Sequence, residues 1–410
     1  MKTFLIAGAG RQATACAAFL LEQFGDTRVL LVDRDERQLE RARAAQREQH
    51  RVETHVFDTA GSDPHWPALL DRTDGVVSCV PYFLNEPLTR LAIDHNAHFC
   101  DLGGNKGTVR RQLSLAAQAR DAGVSVVPDC GLAPGTGNIL AEYWRHDWTY
   151  RAVSIRCGGL PKHPSNMLNY ALTFSPWGLF NEYFDDCEVS RGGELVTLPG
   201  LSELESIDDL PLDGTFEAFA TSGGTSVAPS LYAPLGVDYD YKTIRYPGHR
   251  DMIACMHELG FFDEKTKAAR SDGTPLDATM RDIAVAAFER AMPGDRNDLV
   301  ILRVDVRGEH DGQPAHGRID LIDYADHRFT AMERTTGFSI AIVAALQVGL
   351  YRDAPAACSP PRLPDATGDR TVTAIEPGAY CPFQVVPPKL LIEEHRRAGV
   401  TGFTVSDHMP

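Results

Sequence analysis

The first 33 residues constrain the fold of this chain more than any other stretch. An apolar run, Thr3 to Ala7, leads into the turn Gly8-Ala9-Gly10-Arg11-Gln12-Ala13, and a second apolar run ends at Asp33. A dinucleotide is typically held by a segment with this order: a strand, a glycine-rich turn, a helix, a second strand and an acidic residue. The segment therefore predicts a β-α-β unit with a nicotinamide dinucleotide at its turn.

Each residue of the turn has a physical role in this prediction. Gly8 permits the tight turn, and Gly10 lets a pyrophosphate approach the backbone because it has no side chain. Ala13 is small enough for the helix to pack on the strand. The first helical turn, which starts with Arg11 and Gln12, offers free N–H groups and a positive dipole end to the phosphates. We expect all five residues to bind the cofactor.

Asp33 and its neighbour Arg34 bear on the choice of dinucleotide. A carboxylate at the end of the second strand accepts hydrogen bonds from the ribose hydroxyls and repels a 2′-phosphate, which favours NAD over NADP. Arg34 could pair with such a phosphate, so NADP stays open as the less favoured cofactor.

The alternation of strands and helices continues to about residue 130 and predicts a parallel, doubly wound α/β sheet. The strands expected after Asp33 are Val52–Phe57, Gly75–Val80, Ala97–Leu102 and Val124–Asp129. In such a sheet the ligand crevice lies outside the carboxyl ends of the strands. The residues at these ends are therefore candidate site residues: Asp58, Val80 and Pro81 for the cofactor, and Asp101 and Asp129 for the chemistry. Asp58 either reaches the adenine or forms a turn.

A second glycine-rich stretch, residues 128–141, places Gly131 in a turn between a strand and a helix. Such a turn can bring backbone N–H groups close to a nicotinamide carboxamide or a substrate carboxylate. It could equally serve as a hinge between domains.

From about residue 150 the pattern changes to short strands interrupted by helices, which predicts a mixed α/β sheet domain. We divide the chain into residues 1–135, residues 136–335, and a C-terminal helix with a tail, residues 336–410, that packs back on the first domain. The helix is expected to start near Gly337, and residues 352–390 are rich in Pro and Gly.

Charge and composition limit the classes of partner and compartment. The formal net charge of −16 disfavours nucleic acids and anionic membranes. No apolar run is long enough to span a bilayer, and the first strand begins too early to leave room for a signal peptide. The nine cysteines form no C-x-x-C pair, so we expect no metal site. These features predict a cytoplasmic homo-oligomer that acts on a small molecule.

Five segments carry a family resemblance. They are Gly8–Ala13, Asp101–Asn105, Gly131–Gly135, Cys157–Pro161 with the following Asn169-Tyr170 and Phe174-Ser175-Pro176, and Lys242–His249. With these motifs the chain resembles the saccharopine dehydrogenase family from residue 1 to about 350, and within that family the lysine 6-dehydrogenase branch.

The resemblance implies a Rossmann domain, residues 1–135, and a substrate-binding α/β domain, residues 136–335, that lies over the nicotinamide and mediates self-association. It implies NAD(P)-linked oxidation of an amine-bearing carbon, or the reverse reduction of an imine. In the branch named, the side-chain amine of L-lysine is oxidatively deaminated. The products are allysine, which cyclises to piperideine-6-carboxylate, ammonia and NADH.

This chemistry needs a base, because hydride leaves the amine-bearing carbon only when the nitrogen lone pair is free. Asp101 and Asp129 both end strands at the expected face, and either could accept the proton. Lys106 is a further candidate for proton transfer, and His249 titrates near neutrality.

Arg245 is the candidate for a substrate carboxylate, because its planar guanidinium binds a carboxylate through two hydrogen bonds. An ion pair within the domain is the alternative. Gly158 and Gly159 would let the backbone approach the substrate, although a β-bulge explains them as well. Asn169 belongs to the fourth family segment and joins the substrate candidates.

Two other functions remain open. One is the reductive condensation of an aldehyde with an amine, as in saccharopine reductase and carboxynorspermidine dehydrogenase. The other is a dinucleotide-binding sensor without turnover. Asp33 favours NAD and hence oxidation, since biosynthetic reductions more often use NADPH.

Overall fold

The computed structural model describes residues 1–60, 63–173, 175–292, 294–351 and 374–408, which form two large sheets with helices packed on them and a separate two-stranded pair within residues 267–279. The strands are β1 Lys2–Ala7, β2 Thr27–Asp33, β3 Val52–Val56, β4 Gly75–Ser78, β5 His98–Asp101, β6 Ser125–Val127, β7 Trp148–Pro161, β8 Cys187–Arg191, β9 Glu194–Leu198, β10 Glu205–Ile207, β11 Phe216–Ala220, β12 Asp238–Arg245, β13 Lys267–Ala269, β14 Pro275–Thr279, β15 Asp298–His310, β16 Gln313–Tyr324, β17 Gly378–Ala379 and β18 Phe403–His408.

The helices connect these strands and, in the first domain, cover both faces of the sheet. They are α1 Arg11–Gln23, α2 Glu36–Ala44, α3 Trp66–Leu70, α4 Asn85–Asp94, α5 Lys106–Leu113, α6 Ala116–Asp121, α7 Thr136–Ala141, α8 Pro176–Phe184, α9 Ala228–Tyr232, α10 His249–Glu258, α11 Met280–Ala291, α12 Ala331–Gln347 and α13 Pro388–Arg397.

The first sheet has the strand order β17-β6-β5-β4-β1-β2-β3, and every neighbouring pair is parallel. Alternate side chains of a strand point to opposite faces. Phe4 and Ile6 accordingly join the core beneath α1 and α12, whereas Leu5 and Ala7 join the core beneath α3 and α4. The predicted doubly wound parallel sheet is confirmed.

The second sheet is mixed, as predicted, and runs β10-β11-β12-β7-β15-β16-β18, with β8 and β9 attached beside β12. Among its long central strands, β15 is antiparallel to both of its neighbours, β7 and β16, while β12 and β7 are parallel. Arg245 is the last residue of β12.

Helix α12 joins the two sheets and packs closely on α1. An ideal Cβ on Gly337 would lie 2.7 Å from both the Cβ of Ala15 and the carbonyl oxygen of Gln12. The helix begins at Ala331, six residues before Gly337, because Thr330 accepts a hydrogen bond from the Glu333 N–H and Glu333 bonds back to the Thr330 N–H.

Several predicted elements have other bounds. The sequence periodicity predicts one helix over residues 110–122, which the structure divides into α5 and α6, and a helix over residues 276–292, whose first part is instead β14. A strand is also predicted over residues 169–174, but none forms over the described part of that run. The greater part of the predicted tail, residues 352–373, lies outside the described residues. Beyond it, β17 extends the first sheet and β18 extends the second, so the C-terminal region serves both.

Candidate active site

The first glycine-rich turn lies at the carboxyl ends of β1 and β4. Gly8 has a φ of +92°, and an ideal Cβ there would lie 3.0 Å from the Cys79 carbonyl oxygen and 3.2 Å from Cγ1 of Val80. Only glycine fits between these strand ends. Gly10 caps α1, and an ideal Cβ on it would meet nothing within 4 Å. The space above the helix N-terminus can therefore receive a phosphate group.

Asp33 holds the turn from the end of β2. Its Oδ2 accepts a hydrogen bond from the Ala9 N–H at 2.7 Å, and its Oδ1 accepts one from the Asp35 N–H at 2.9 Å. Arg34 beside it is exposed. The carboxylate thus lies next to the phosphate-binding turn, which is the place that a ribose would occupy.

The other predicted cofactor residues lie along the same edge. Asp58 is exposed and accepts a hydrogen bond from the Ala60 N–H at 3.1 Å, so it forms the turn that the sequence offered as its alternative. Pro81 is exposed after β4. Gly131 is buried in the second glycine-rich turn, where its carbonyl accepts from the Thr136 N–H at 2.9 Å. Gln12 and Ala13 lie in the first turn of α1.

Asp101 is fully buried at the end of β5 and is bonded on both oxygens. Oδ2 accepts from Nε2 of Gln112 at 2.6 Å, and Oδ1 accepts from the Gly103 N–H at 2.7 Å and the Asp129 N–H at 3.3 Å. Burial raises its pKa to about 6, although these hydrogen bonds act to lower it. Asp101 therefore fixes the loop that precedes α5 and the residue that follows β6.

Asp129 differs because one of its oxygens is left unbonded. Oδ2 accepts a short hydrogen bond from the Ser226 hydroxyl, whereas the buried Oδ1 has no partner among the described residues. Burial raises the pKa of Asp129 to about 7, the Ser226 bond opposes that rise, and the charge of Asp101 adds to it. Asp129 and Ser226 have φ values of +64° and +46°. Such strain at two bonded residues is typical of a functional site.

Lys106 is engaged by the second domain. Its Nζ donates to Oε1 of Glu188 at 2.9 Å, and Arg110 donates to Oε2 of the same residue at 3.1 Å. The structure therefore places Lys106 in an ion pair that bridges α5 and β8, and its Nζ makes this contact instead of one with the proposed proton-transfer groups Asp101 and Asp129.

Arg245 is 2% exposed at the end of β12. Its Nε donates to the Tyr183 hydroxyl at 2.7 Å, its Nη1 donates to the Ile244 carbonyl at 2.8 Å, and the guanidinium carbon lies 4.9 Å from the centre of the Tyr170 ring. In the described part of the chain, no carboxylate forms an ion pair with it. A buried cation without a counter-ion is costly, so this arrangement fits a site that receives an anionic ligand.

His249 lies behind Arg245 and has no free ring nitrogen. Nδ1 is 2.8 Å from the Leu168 carbonyl, and Nε2 is 3.0 Å from the Tyr183 hydroxyl. Burial and then the charge of Arg245 lower its pKa to about 3. This histidine is neutral near pH 7. Its hydrogen bonds suit it to orient Tyr183, not to act as a base at the crevice.

Local structure explains the residue types at the remaining predicted substrate positions, Gly158, Gly159 and Asn169. An ideal Cβ on Gly158 would lie 2.5 Å from the Ile244 carbonyl, so glycine allows β7 to pass beside β12. A Cβ on Gly159 would collide with the end of Met332 and lie 3.3 Å from the Thr173 hydroxyl. Asn169 has a φ of +49° and forms a turn with Asn166.

Sequence reasoning missed part of this site. Tyr170 lies beside Arg245, and Thr173 lies beside Gly159. Their buried hydroxyls interact with each other and make no further hydrogen bond with the described residues. Ser226 lies in a Gly-Gly-Thr-Ser stretch that carries no recognised motif. Tyr170 was visible as part of a family segment, whereas only the fold could bring Ser226 to Asp129.

The two domains meet at the first glycine-rich turn. Nε of Arg11 lies 3.9 Å from Oε1 of Glu333, and an ideal Cβ on Gly294 would lie 2.7 Å from the Arg11 guanidinium and 2.9 Å from the Leu172 carbonyl. The dinucleotide turn therefore faces the segment that leads from Tyr170 to Thr173. The described residues contain no cluster suited to a metal ion. Within them, no helix has the length and apolar character needed to cross a membrane.

Comparisons with known proteins agree with this arrangement. Residues 4–127 match the family model for the saccharopine dehydrogenase NADP binding domain, and residues 131–350 match that for the saccharopine dehydrogenase C-terminal domain. The structure is similar to apo saccharopine dehydrogenase (L-Glu forming) from Saccharomyces cerevisiae, with a TM-score of 0.74 and 17% identity over 100% of both chains. At that identity, the similarity shows the fold alone.

Two curated relatives are more similar in sequence. The mitochondrial alpha-aminoadipic semialdehyde synthase of Rattus norvegicus is 26% identical over 223 residues, which is 51% of this chain and 23% of that protein. The saccharopine dehydrogenase [NADP(+), L-glutamate-forming] of Schizosaccharomyces pombe is 23% identical over 211 residues, 49% of this chain and 46% of that protein. The matches thus span less than half the length of either relative.

Proposed function

The chain belongs to the saccharopine dehydrogenase family of oxidoreductases, and we propose on that premise that it oxidises an amine-bearing carbon with a nicotinamide dinucleotide. The substrate that we propose is L-lysine, deaminated at its side-chain amine. The reaction takes place in the cytoplasm, in a homo-oligomer, as the composition predicts.

The observation that carries this proposal is the buried guanidinium of Arg245. It makes no ion pair in the described part of the chain, and its guanidinium carbon lies 4.9 Å from the centre of the Tyr170 ring. A carboxylate would supply the missing charge and accept hydrogen bonds from the guanidinium. This supports a substrate with a carboxylate at one end and the reacting amine at the other.

Asp129 is the base that we propose. With a pKa of about 7 and an unbonded Oδ1, it can take a proton from the substrate ammonium, which frees the nitrogen lone pair. The dinucleotide, when bound, supplies the acceptor for the hydride that leaves the carbon. Water then adds to the resulting iminium, and the carbon–nitrogen bond breaks to give an aldehyde and ammonia. Ser226 holds the other carboxyl oxygen and so orients the base.

NAD is the cofactor that we propose, because the Asp33 carboxylate lies at the glycine-rich turn where a 2′-phosphate would meet it. The relative from S. pombe is named for NADP(+), and the matched domain model carries that cofactor in its description. NADP is therefore an arm of the test.

A second candidate is the oxidation of saccharopine itself, which the names of the relatives favour. Saccharopine carries two carboxylates more than lysine does. Arg245 is the buried cation without a counter-ion at the described site, which supports the smaller substrate.

The test is the absorbance of the reduced nicotinamide band when the purified protein meets NAD or NADP with lysine, saccharopine or a polyamine. We expect NADH with lysine, and an increase of about 10- to 100-fold in KM for Arg245→Gln, because a charge-assisted hydrogen bond is lost. Arg151→Gln, a substitution of an exposed residue, is the matched control. Turnover of saccharopine without turnover of lysine would replace the first candidate by the second.

A further inference from the structure

Glu182 of α8 lies in the same part of the second domain as Arg245. Its carboxylate has no cationic partner among the described residues. Its Oε1 accepts hydrogen bonds from the Thr243 hydroxyl at 2.7 Å and the Thr221 hydroxyl at 3.3 Å. Among the described residues no lysine, arginine or histidine forms an ion pair with it. The side chain is half-buried, so a ligand can reach it while part of its hydration is lost.

Glu182 and Arg245 are linked through β12. Thr243, which donates to Glu182, and Arg245 are two residues apart on this strand, so their side chains lie on the same face. Burial opposes the charge of Arg245, but Tyr183, Tyr170 and Glu182 together hold its pKa above the ordinary value. The two opposite charges thus influence each other without direct contact.

The segment after β11 connects Glu182 to the proposed base. The Ser222 N–H donates to the Glu182 carbonyl at 2.9 Å, and an ideal Cβ on Gly223 would lie 2.7 Å from Cγ of Glu182. Three residues further on, Ser226 donates to Asp129. One segment, residues 222–226, therefore contacts both carboxylates, and five residues of extended chain span at most about 18 Å.

We infer that Glu182 binds the α-ammonium group of the substrate while Arg245 binds its α-carboxylate. The opposite charges of an α-amino acid are two bonds apart, and this pair of unpartnered charges would satisfy both at once. The inference rests on the proposed function and narrows its substrate class to free α-amino acids with a second, reacting amine at the far end.

The hydroxyls of Thr221 and Thr243 have a defined part in this arrangement. They hold one oxygen of Glu182 and lie 2.7 Å from each other, which restricts the rotamers of the carboxylate. Oε2 of Glu182 receives no hydrogen bond from the described residues and is the atom that we assign to the ammonium. A fixed carboxylate of this kind loses little side-chain entropy when the ligand binds.

Three amines separate the contributions of the two charged groups: L-lysine, aminocaproate, which lacks the α-amine, and cadaverine, which keeps both amines but lacks the carboxylate. We expect Glu182→Gln to lower kcat/KM for lysine by about 10- to 100-fold and to leave that for aminocaproate within about twofold, because only lysine loses a charge-assisted hydrogen bond. The preference of the enzyme for lysine over aminocaproate should disappear. Glu194→Gln, at an exposed glutamate of β9, is the matched control.

Glu182→Asp keeps the charge and should retain part of the preference, which separates a binding role from a loss of folding. Equal losses for lysine and aminocaproate in Glu182→Gln, or no loss for lysine, would overturn the inference. If the wild-type protein oxidises none of the three amines, the proposed function fails instead. Calorimetry of lysine binding to the dinucleotide complex then still decides the assignment, since an unchanged affinity in Glu182→Gln contradicts it.

Discussion

At the scale of single residues, Asp129 is a carboxyl group held in an unfavourable state. It is buried, strained in its backbone, and bonded on one oxygen only. Because its pKa of about 7 lies above the ordinary value near 4, the ionised form destabilises the folded protein above pH 7. The contribution to stability is most favourable at low pH and is lost as the pH rises from about 4 to about 7.

Asp129→Asn should therefore raise stability and abolish activity together. We expect kcat/KM to fall by about 100-fold or more, since general bases contribute that much. We expect the free energy of unfolding at pH 8 to increase by at most about 4 kcal/mol, a gain that shrinks as the pH falls toward 4. Urea unfolding at several pH values measures it, with Asp58→Asn as the exposed control. A variant less stable than the wild type at pH 8 would contradict this account of Asp129.

The sequence identified Asp101 and Asp129 as candidates because parallel strands end at one edge of a sheet. It could not separate their roles, since the difference comes from Gln112 in α5 and Ser226 in the second domain. The environment of His249 could not be predicted either. A histidine ordinarily titrates near neutrality, so the sequence indicated a titrating group at this motif position. The burial that lowers its pKa depends on Tyr170 and Tyr183, which pack around it in the fold.

At the scale of elements, α1 and α12 form the contact that positions the dinucleotide turn. Gly337 allows the backbones to approach where α1 begins, at Gln12 and Ala15. The sequence predicted the long apolar helix and its packing on the first domain. It did not predict the start at Ala331, because the first turn contains Glu333 and Arg334, which are buried through a capping bond and an ion pair with Asp323 at 2.9 Å.

Gly337→Ala should push α12 away from α1. We expect a loss of about 1–3 kcal/mol in the free energy of unfolding, as for other overpacked cores, and weaker binding of the dinucleotide. Gly25→Ala, just beyond the other end of α1, is the control, because an ideal Cβ there meets nothing within 4 Å. Urea unfolding and calorimetry with NAD measure the two effects. Equal free energies of unfolding and equal affinities for NAD in the two variants would contradict this close packing of α1 and α12.

At the scale of the whole molecule, the two domains share a hydrophobic core, and ion pairs add to the contact between them. Glu188 on β8 binds both Lys106 and Arg110 on α5, next to the loop that Asp101 fixes. The division into a parallel and a mixed sheet domain was predictable, because helix and strand periodicities differ along the chain. The contact between domains was not, since a charged residue in a short strand gives no sign of its distant partner.

Glu188→Gln should remove the ion pairs between β8 and α5 without altering either domain. We expect KM for the amine to rise about two- to fivefold at low ionic strength, because partly exposed ion pairs contribute about 1 kcal/mol or less. The difference should vanish at high salt, where such pairs are screened. Glu53→Gln removes an ion pair with Arg72 inside the first domain and serves as the control. An effect of Glu188→Gln that is independent of salt would argue for a role other than these ion pairs.

The last described segment contributes one strand to each sheet. β17 pairs with β6 at the edge of the dinucleotide domain, and β18 pairs with β16 at the edge of the other. During synthesis on the ribosome, the parallel sheet stays one strand short until residue 379 has emerged, and the mixed sheet until residue 408 has emerged. The two domains therefore reach completion almost simultaneously, rather than in the order in which they are translated.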